Sequence, residues 1–528
     1  MRNDPIISVR AGLILVATAV VLLAARPVAG QQPLYRLIEL TAPDGGETRA
    51  YAINDTGQIV GWIDLGDRRH AGHWNVDVTS DLNETVHFVL QHPIFDQDYA
   101  EAFDISNGGQ IVGTARTEID CPPAFVITNA FVLRPGVLTD LGTPYPGDAL
   151  TNLQTLGDVC SAHDSAAIGI NNRNFVVGWA DLPGGATHAF LVRPEDGYFY
   201  SDQDFDGVDD FMIDLGTLGS ISDSVSAATA VNDAGEVTGY SYTMSMPEGV
   251  TDGATRAAYH AFLITPLDTD DDGEPDQWFA DAGSGVNALM VDLGTLGGYN
   301  SWGRDINNAG QIVGEADTAR SDTAVASTHA FLWQDGQMTD LGTLGGDFSA
   351  ASGINDDGVI VGWASDADGK RRAFVYRDGQ MYNLNDLVCT RTAEGLTIVP
   401  NIVLTEARDI NVNGWIVGWG TVRGSDTQEN RGFLLIPIDP NDCTQASAGD
   451  DSAHGTGDDP GGDGSYDGTP MIGTPGNLSS PSDDTQDTSG DDQTPSESTP
   501  TLCGLGVAAM LPLMLAGLLG ARCRRRPR

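Results

Sequence analysis

The sequence predicts an all-β fold, a seven-bladed β-propeller of four-stranded blades that is closed by its N-terminal strand. Three observations support this prediction: a phrase that returns seven times, four strand-like runs in each repeat, and one unpaired run before the first repeat. The phrase reads Ile-Asn-x-x-Gly-x-Ile-Val-Gly in its commonest form, and its Asn or Ser falls at Asn54, Ser106, Asn171, Asn232, Asn307, Asn355 and Asn411. Successive copies are 48 to 75 residues apart, which is near the length of a propeller blade, with loops absorbing the variation.

The repeat that starts at Ala351 displays the four runs most clearly. They are Ala351–Asn355, Val359–Ala364, Arg372–Arg377 and Gln380–Leu384. Each run is rich in β-branched, aromatic or other apolar side chains and is bounded by Gly, Asp or Asn, which is the pattern of short strands joined by turns. We name the four predicted strands of a repeat a, b, c and d in chain order.

Two recurring glycines predict how strands a and b are joined. The first stands three residues after the Asn, at Gly57, Gly109, Gly235, Gly310, Gly358 and Gly414, with Asn174 in the third copy. Gly and Asn accept a left-handed turn position, so we predict a tight hairpin. The second lies inside strand b, at Gly61, Gly113, Gly178, Gly239, Gly314, Gly362 and Gly418. A Gly there indicates a bulge or the close approach of another backbone.

The seventh repeat has strands a, b and c but lacks a strand d after them. The run Tyr35–Leu40 precedes the first repeat and matches strand d, with Glu39 at the position of its recurring acid. We therefore predict that this N-terminal strand completes the seventh blade. Such closure removes the open edges that are the main hazard of a large sheet protein.

Three other residue types return at fixed repeat positions. A His opens strand c at His70, His188, His260 and His329, and strand d carries an Asp-Leu-Gly phrase. A Trp follows the strand-b Gly at Trp62, Trp179, Trp363 and Trp419. A residue that recurs at one repeat position indicates a common structural role, so we predict structural hydrogen bonds for the His and Asp residues rather than catalysis. For the Trp residues we predict packing in the blades, with stacking on a sugar as the alternative.

The phrases Ile-Asn-x-x-Gly-x-Ile-Val-Gly, His-Ala-Phe-Leu-Trp and Asp-Leu-Gly-Thr-Leu-Gly-Gly together resemble a bacterial extracellular repeat family, the one named after its His-Ala-Phe (HAF) tripeptide. The resemblance extends from Tyr35 to Pro437. It implies an exported, propeller-like repeat protein. It implies no established reaction, so it assigns no catalytic residue to this chain.

The N-terminal segment predicts export. Arg2 and Arg10 precede the apolar run Ala11–Ala25 and a stretch of small residues, which indicates a secretory signal peptide over residues 1–30. An uncleaved membrane anchor is the alternative reading, although the apolar run is short for a span. Residues 34–438 then form the predicted propeller.

The C-terminal segment predicts attachment to the cell surface. Residues 439–500 are dominated by Asp, Ser, Thr, Gly and Pro, so we expect a disordered acidic linker. Residues 501–528 combine an apolar helix with a basic end. They resemble a bacterial sorting signal that is processed or lipidated at Cys503, and a plain transmembrane anchor is the alternative. The protein is accordingly expected at the cell surface, anchored in the membrane through this helix, or released after C-terminal processing.

Charge and cysteine content narrow the partners and the compartment. The chain has 74 acidic and 27 basic residues, a net charge of −47, which argues against binding nucleic acid or an anionic membrane surface. Four cysteines precede the tail, Cys121, Cys160, Cys389 and Cys443, and an even number in an exported chain predicts disulfides. Three pairings are possible, and proximity along the chain favours Cys121 with Cys160 and Cys389 with Cys443.

Two insertions between strands c and d predict calcium sites. Both read Asp-x-Asp-x-Asp-Gly-x-x-Asp, with carboxylates at Asp202, Asp204, Asp206 and Asp210 in the third blade and at Asp268, Asp270, Asp272 and Asp276 in the fourth. Alternating carboxylates with a Gly for the sharp turn match the start of a Ca²⁺ loop, and hard oxygen ligands favour this ion over transition metals. The last Glu of an EF-hand is absent, so the loops resemble shorter calcium repeats, with Asp209 or Asp281 available as a further ligand. Soluble Asp-Gly turns without a metal are the alternative.

The sequence favours a binding or adhesion module for an extracellular protein or carbohydrate. No nucleophile elbow, phosphate loop, zinc signature or dinucleotide fingerprint occurs. The second hypothesis is a propeller polysaccharide hydrolase or lyase with its site at the central channel. An enzyme should place unlike polar residues on the axis in particular blades, whereas a binding scaffold can leave the axis repetitive and vary its outer loops.

Overall fold

A computed structural model describes residues 34–438 and Cys443. Within this span the positions outside the description are 43–44, 65, 67–68, 77–84, 91–98, 120–124, 134–149, 155–163, 184, 196, 202–208, 220–224, 244–257, 320–326, 391–399 and 426–428. The predicted signal peptide, linker and tail with Cys503 also lie outside the described residues, as do Cys121 and Cys160, so those predictions stay predictions. Among the described residues no helix is long and apolar enough to span a membrane.

The described strands form seven separate four-stranded antiparallel sheets, which confirms the predicted propeller. The first strand, β1 (Leu34–Leu40), belongs to the last blade. Blade one consists of β2 (Thr48–Ile53), β3 (Gln58–Asp64), β4 (Arg69–Val76) and β5 (Thr85–Leu90). Blade two consists of β6 (Ala100–Ile105), β7 (Ile111–Ile119), β8 (Phe125–Leu133) and β9 (Leu150–Gln154). Blade three consists of β10 (Ser165–Ile170), β11 (Val176–Asp181), β12 (Thr187–Val192) and β13 (Met212–Asp214).

The remaining blades repeat the same order. Blade four consists of β14 (Ser226–Val231), β15 (Val237–Thr243), β16 (Ala258–Ile264) and β17 (Met290–Asp292). Blade five consists of β18 (Gly297–Ile306), β19 (Ile312–Thr318), β20 (Thr328–Gln334) and β21 (Gln337–Asp340). Blade six consists of β22 (Gly345–Ile354), β23 (Ile360–Asp366), β24 (Arg371–Arg377) and β25 (Gln380–Asn383), followed by a single 3₁₀ turn, Leu384–Asp386. Blade seven consists of β26 (Ile402–Ile410), β27 (Ile416–Val422) and β28 (Asn430–Ile438), with β1 as its fourth strand.

The N-terminal strand closes the ring as the sequence predicts. β1 pairs antiparallel with β28 along its whole length, from Leu34 opposite Ile438 to Leu40 opposite Gly432. Strand a of each blade contacts strand a of the next blade, and β26 of blade seven contacts β2 of blade one. Strand a is therefore the innermost strand of every blade, and the ring has no gap between its last and first blades.

The hydrophobic core lies between blades rather than within them. Each of the seven interfaces has its own cluster of buried side chains, and the one that closes the ring joins Ala50 and Ile63 of blade one to Val417 and Leu434 of blade seven. The Phe of the His-Ala-Phe phrase is buried in six of the blades, at Phe131, Phe190, Phe262, Phe331, Phe374 and Phe433. Burial of such aromatic and aliphatic surface is the main term that holds the blades together.

The strand-b Gly is explained by a bulge in strand a. In every blade the register of strands a and b shifts by one residue beside this Gly. The bulge brings a strand-a carbonyl close to the strand-b Gly. A Cβ on Gly61 would therefore lie 1.9 Å from the carbonyl oxygen of Arg49. The corresponding distance is between 1.9 and 2.1 Å in all seven blades. The predicted close backbone approach is therefore confirmed, and its source is the neighbouring strand of the same blade.

The Asn of the repeated phrase links each blade to the next. Its Oδ1 accepts from backbone N–H groups of its own hairpin, and its Nδ2 donates to the backbone carbonyl of the equivalent residue one blade further on. Asn307 Nδ2, for example, lies 3.1 Å from the carbonyl oxygen of Asn355, and Asn411 Nδ2 lies 3.1 Å from that of Asn54. The ring of such bonds is interrupted only at Ser106 among the described repeats, because a hydroxyl is too short to reach Asn171.

A second ring of hydrogen bonds, exposed to solvent, joins neighbouring hairpins one residue after the Asn. The residue after each Asn accepts, through its side-chain oxygen, the backbone N–H of the equivalent residue in the preceding blade; Asp233 N–H thus donates to Asn308 Oδ1 at 2.9 Å. The seven positions are Asp55, Asn107, Asn172, Asp233, Asn308, Asp356 and Val412. Val412 has no acceptor to offer and is 51% exposed. Its position is the one interruption of this outer ring among the described hairpins.

One of the two predicted disulfides is present. Cys389, beside the end of blade six, is bonded to Cys443, with their Cα atoms 5.7 Å apart. Both cysteines are buried against Leu34 and Ile438, the two residues that end the closing strand pair. The bond fastens the last blade to its neighbour as expected.

Candidate functional site

The ring has two unlike ends. The a–b hairpins and the c–d loops lie at one end, which we call the hairpin face. The other end, where strands a begin and strands b finish, carries a group of arginines, and we call it the arginine face. The sequence-predicted calcium loops belong to the hairpin face, because Trp278 beside the second loop donates from Nε1 to the carbonyl oxygen of Gly235, a hairpin Gly, at 2.8 Å.

The second Asp loop brings three of its four predicted ligands together. Carboxylate oxygens of Asp268, Asp270 and Asp272 lie within 4.8 Å of one another, and all three side chains are exposed. Gly273 has a positive φ of 91°, so the sharp turn expected at this Gly is present. Asp276 does not join the group, because its carboxylate accepts the Thr269 hydroxyl at 2.6 Å, a bond that also lowers the pKa of Asp276.

The further ligands considered from the sequence are engaged elsewhere. Asp281 accepts the backbone N–H of Gly283 at 2.7 Å and belongs to a separate turn. In the first loop Asp202, Asp204 and Asp206 lie outside the described residues, and Asp210 is exposed at its end. Asp209 is 1% exposed and accepts backbone N–H bonds from Ser201 and Phe211, each at 3.0 Å. Burial raises the pKa of Asp209 to about 6.

The repeated His and Asp residues pair inside single blades. His188 Nδ1 lies 2.9 Å from Asp214 Oδ1, and His260 Nδ1 lies 2.8 Å from Asp292 Oδ1. The same pair recurs in blade five, and in each case the Asp also accepts the N–H of the Gly two residues later. The bond joins strands c and d of one blade, which supports the predicted structural role.

The innermost layer of the ring is not repetitive. The extra residue of each strand-a bulge differs in chemistry from blade to blade: Tyr51, Phe103, Ile168, Thr229, Arg304, Ser352 and Arg408. Three of these residues contact a counterpart in the neighbouring blade: the rings of Tyr51 and Phe103 stack with centroids 5.8 Å apart, and the Arg408 guanidinium lies 5.7 Å from the Tyr51 ring centroid. The symmetry that governs the outer blade is thus broken at the axis.

Two equivalent charged triads stand at the arginine face. In blade one Arg69 lies over the Trp62 ring, 4.5 Å from its centroid, and donates from Nη1 to Glu101 Oε1 of blade two at 2.6 Å. In blade six Arg371 lies over Trp363 at 3.9 Å and donates to Glu406 Oε2 of blade seven at 2.5 Å. Both Glu side chains are almost fully buried, whereas the Arg69 and Arg371 side chains are 45% and 34% exposed.

Between the triads Arg49 occupies the position where blades two and seven have Glu. It lies between two indoles, 5.4 Å from the Trp62 ring centroid and 5.0 Å from that of Trp419. Arg408 completes the group, with Nη1 3.5 Å from Glu406 Oε1. We call Arg49, Arg69, Arg371 and Arg408, with Trp62, Trp363 and Trp419, the arginine arc; it lies on blades six, seven and one. The Trp residues are buried, as predicted for packing, and their faces also hold guanidinium groups.

Blades three to five contribute an aromatic counterpart. Tyr242 and Tyr259 stack with ring centroids 4.2 Å apart and an interplanar angle of 24°, and both are half-buried. Tyr259 also faces Trp302 at 6.5 Å and Tyr240 at 5.7 Å. These four residues, with Trp179, form what we call the aromatic arc. In blade five, which contributes Trp302 to this arc, Arg304 and Glu315 form a buried ion pair at 2.5 Å.

Three carboxylates lie on the innermost strands between the two faces. Asp104, Asp305 and Asp409 each accept two backbone N–H groups, one from the next residue and one from strand a of the following blade. Burial, followed by repulsion among the three, raises the pKa of Asp104 and Asp305 to about 7, and burial raises that of Asp409 to about 6. Sequence reasoning missed them, although an Asp directly before the Ile of the phrase in three copies is a readable signal.

The arginine arc was also missed by sequence reasoning. Its residues come from seven distant positions, and only the strand-b Trp belongs to the repeated phrase. The usable signal was the departure from the repeat: Arg69 and Arg371 precede the first residue of the His-Ala-Phe phrase, where other copies have Thr, Tyr or Asn. A residue that breaks a repeat at a defined structural position is a stronger guide to function than one that obeys it.

One protein-family profile matches part of this chain. A family profile described as "Protein of unknown function (DUF3466)" matches residues 217–344 and 340–451. These two matches run from the end of blade three to beyond blade seven. They agree with a propeller-like repeat protein, while the HAF-repeat name and the sorting tail remain predictions. No curated protein matches the sequence of this chain.

Solved structures offer distant similarity. The polysaccharide lyase Uly1 is 9% identical with a TM-score of 0.40, over 79% of this chain and 94% of that chain. TolB from Acinetobacter baumannii is 9% identical with a TM-score of 0.30, over 76% of this chain and 96% of that chain. At this level of similarity neither protein bears on what this chain binds, and the best-defined relation remains the DUF3466 match to the last four blades.

Proposed function

We propose that the protein is an exported, surface-held binding module whose arginine face receives its ligand. The observation that carries the proposal is the loss of sevenfold symmetry there: this face holds Arg with Trp on blades six, seven and one, and Tyr or Trp on blades three to five. Folding alone does not require such variety, because the strand-b Gly and the bulge beside it recur in all seven blades without it. The disulfide between Cys389 and Cys443 supports the exported location, since such bonds persist in oxidising compartments.

A non-catalytic role is favoured by the state of the ionisable groups. Glu101, Glu315 and Glu406 are each paired with an Arg, so each carboxylate is held in place as the counter-ion of a guanidinium. Burial raises the pKa of Tyr51 well above its usual range, which removes it as a base at neutral pH. A general acid or base works best with a pKa near the operating pH. Tyr51, whose pKa burial raises, lacks that property.

The second candidate remains a polysaccharide hydrolase or lyase at the channel. It is favoured by the unlike residues of the innermost layer and by the three carboxylates whose pKa lies near 6 to 7. Both oxygens of each carboxylate accept backbone N–H bonds, which argues for a structural task. Release of new reducing ends or unsaturated sugars from any bound polysaccharide would move this candidate ahead of the first.

The binding proposal is tested by an array of glycans and extracellular proteins probed with the secreted protein. Two matched tyrosine variants locate the site: Tyr259→Ala at the arginine face, and Tyr198→Ala, which is 63% exposed and lies beside the c–d loop of blade three. We expect Tyr259→Ala to abolish binding and Tyr198→Ala to preserve it. The opposite pattern, or a ligand insensitive to both Tyr259→Ala and Arg49→Gln, would place the site elsewhere and refute the proposal.

Calcium is proposed as a stabilising ion of the hairpin face, with Asp268, Asp270 and Asp272 as its ligands. Their mutual distance within 4.8 Å and the turn at Gly273 support this. A ligand present at 100 times its Kd stabilises the folded state by about 2.7 kcal/mol. Ca²⁺ should therefore raise the melting temperature of the wild type but not of Asp270→Ala, while Asp368→Ala, an exposed Asp in an ordinary turn, keeps the effect. An equal response of all three proteins would show that this loop is not the site.

A further inference from the structure

We propose that the ligand of the arginine face is an acidic glycan, one that bears uronic-acid carboxylates or sulfates on a chain of sugar rings. The inference rests on the proposed function, because it names the ligand class of that same site. It starts from charge: the arginine arc holds four Arg against the two Glu of its triads, a local excess of positive charge in a chain whose net charge is −47.

The excess is concentrated on Arg49. Its guanidinium touches two indole rings and has no ion pair among the residues that the structure describes, and its Nε is buried without a hydrogen-bond partner among them. The Nε atoms of Arg371 and Arg408 share that condition. A buried donor without a partner is costly, so an acceptor that enters this region is favoured. A guanidinium group can form two hydrogen bonds at once with a carboxylate or a sulfate group.

The stacking geometry leaves the arginines ready for such a ligand. In each triad the indole covers one face of the guanidinium, and the Glu takes one end of its N–H edge. The side chain is thereby fixed in place while a third to a half of it stays exposed. A pre-organised cation loses little conformational entropy on binding, which favours affinity.

The aromatic arc supplies the other half of the ligand's chemistry. The stacked rings of Tyr242 and Tyr259 are half-buried, so part of their aromatic surface stays exposed at the arginine face. The C–H face of a pyranose packs on exposed aromatic surface while its hydroxyls remain hydrogen-bonded. An anionic group on the arginine arc and a sugar ring on the aromatic arc together describe an acidic oligosaccharide better than an inorganic anion or a neutral glycan.

The acidity of the whole chain limits the charge density of a ligand that can bind it. Nucleic acid carries one charge per about 1.7 Å of duplex and is repelled by a strongly acidic protein. A uronate chain has its charges farther apart, and at physiological ionic strength fields fade over about 8 Å. Acids that lie farther than this from the arginine arc therefore contribute little to the binding energy of such a ligand. Nucleic acid serves below as a contrasting probe.

Calorimetric titration of the full secreted protein tests the inference with four probes of similar length. They are an oligogalacturonate, a sulfated galactan oligomer, a neutral xylo-oligosaccharide and a single-stranded oligothymidylate. Binding of at least one acidic saccharide is expected, with affinity that falls as salt is raised. Arg49→Gln should weaken it about tenfold or more, which is the loss of one charge-assisted hydrogen bond. Arg377→Gln, which removes a partly buried Arg near the hairpin face, is the matched control and should leave the affinity unchanged.

The outcomes separate the ligand class from the site. If the neutral oligomer binds as well as the acidic ones, with Arg49→Gln silent and Tyr259→Ala disabling, the arginine face is a glycan site but the acidic class is wrong. If the oligothymidylate or a protein binds there in place of any saccharide, the glycan class is overturned. If acidic glycans bind Arg49→Gln and Tyr259→Ala like the wild type, both the class and the proposed site fail. Circular dichroism and melting curves verify that each variant is folded.

Discussion

Completion of the inner Asn ring is the most direct test of how the blades are joined. Ser106 is the position at which the ring is interrupted, and Ser106→Asn should restore the missing link to the carbonyl of Asn171. The equivalent bond in the preceding repeat, Asn54 Nδ2 to the carbonyl oxygen of Ser106, measures 3.0 Å and shows that the geometry is within reach. The new Oδ1 should also accept hairpin N–H groups in place of the longer bond from Gln110 N to Ser106 Oγ, 3.2 Å.

The magnitude follows from the number of bonds. One new buried bond and one shortened bond are worth about 1 to 2 kcal/mol, against about 0.5 to 1 kcal/mol of side-chain entropy, so a net gain of about 1 kcal/mol is expected. In a cooperative unit of this size that gain raises the melting temperature by only about 1 °C, so urea denaturation at fixed temperature is the better assay. The m-value should stay constant while the midpoint rises.

The reverse substitution provides the matched comparison. Asn307→Ser removes the bond to the carbonyl of Asn355 and weakens two accepted bonds, from Ala309 N at 3.1 Å and Gln311 N at 3.0 Å. A loss of about 1 to 3 kcal/mol is expected, since buried backbone groups lose partners. If Asn307→Ser costs nothing and Ser106→Asn gains nothing, the ring of amides does not stabilise the propeller and the reasoning is refuted.

Three further predictions concern the strand-b Gly, the inner carboxylates and the disulfide. Gly362→Ala places its Cβ 2.1 Å from a backbone oxygen and should lower the free energy of unfolding, measured by urea denaturation, by about 3 kcal/mol or more. Gly369→Ala, with a φ of 76° and open space around it, should lower it by about 1 to 2 kcal/mol, and equal losses would contradict the bulge argument. Because burial raises the pKa of Asp305 from 3.8 to about 7, its contribution to stability is fully present below pH about 4 and is lost as the pH rises through about 7; the stability of the wild type relative to Asp305→Asn should therefore fall over that interval, and a rise would disprove the assignment. Cys389→Ala opens a loop with a sequence separation of 54 and should lower the free energy of unfolding by up to about 4 kcal/mol. Wild type in reducing agent should match this variant, and a variant as stable as oxidised wild type would show that the disulfide does not stabilise the fold.

The fold was readable from the sequence because its determinants are local and repeated. Gly57 and its counterparts encode the hairpin through a positive φ, and the register of Tyr35–Leu40 follows from its match to strand d. Seven weak signals at one spacing leave few alternative architectures. Strand lengths were read less well: β22 begins at Gly345, six residues before the predicted start, because the Gly-rich end of strand d runs on into pairing with β23.

The candidate site was readable only in part. The Asp loop could be predicted because its ligands are neighbours in sequence, and three of the four described acids do meet. Arg49 and Arg371 could not be, because they are brought together by ring closure between the first and the last blades. A repeat pattern predicts which positions become neighbours, but it does not predict that a departure in one blade will complement a departure in another.

The pairing of Leu34 with Ile438 has a consequence for how the protein is presented. Both residues lie at the hairpin face, where the disulfide also holds them, so chain leaving the propeller in either direction departs from the same end. The arginine face is the opposite end of the ring. An attachment through the chain termini therefore leaves this face unobstructed by the attached chain, and many copies on one surface would all keep it open to the medium. Such an arrangement lets a long, repetitive ligand engage several rings at once, so that weak single contacts add up to firm retention.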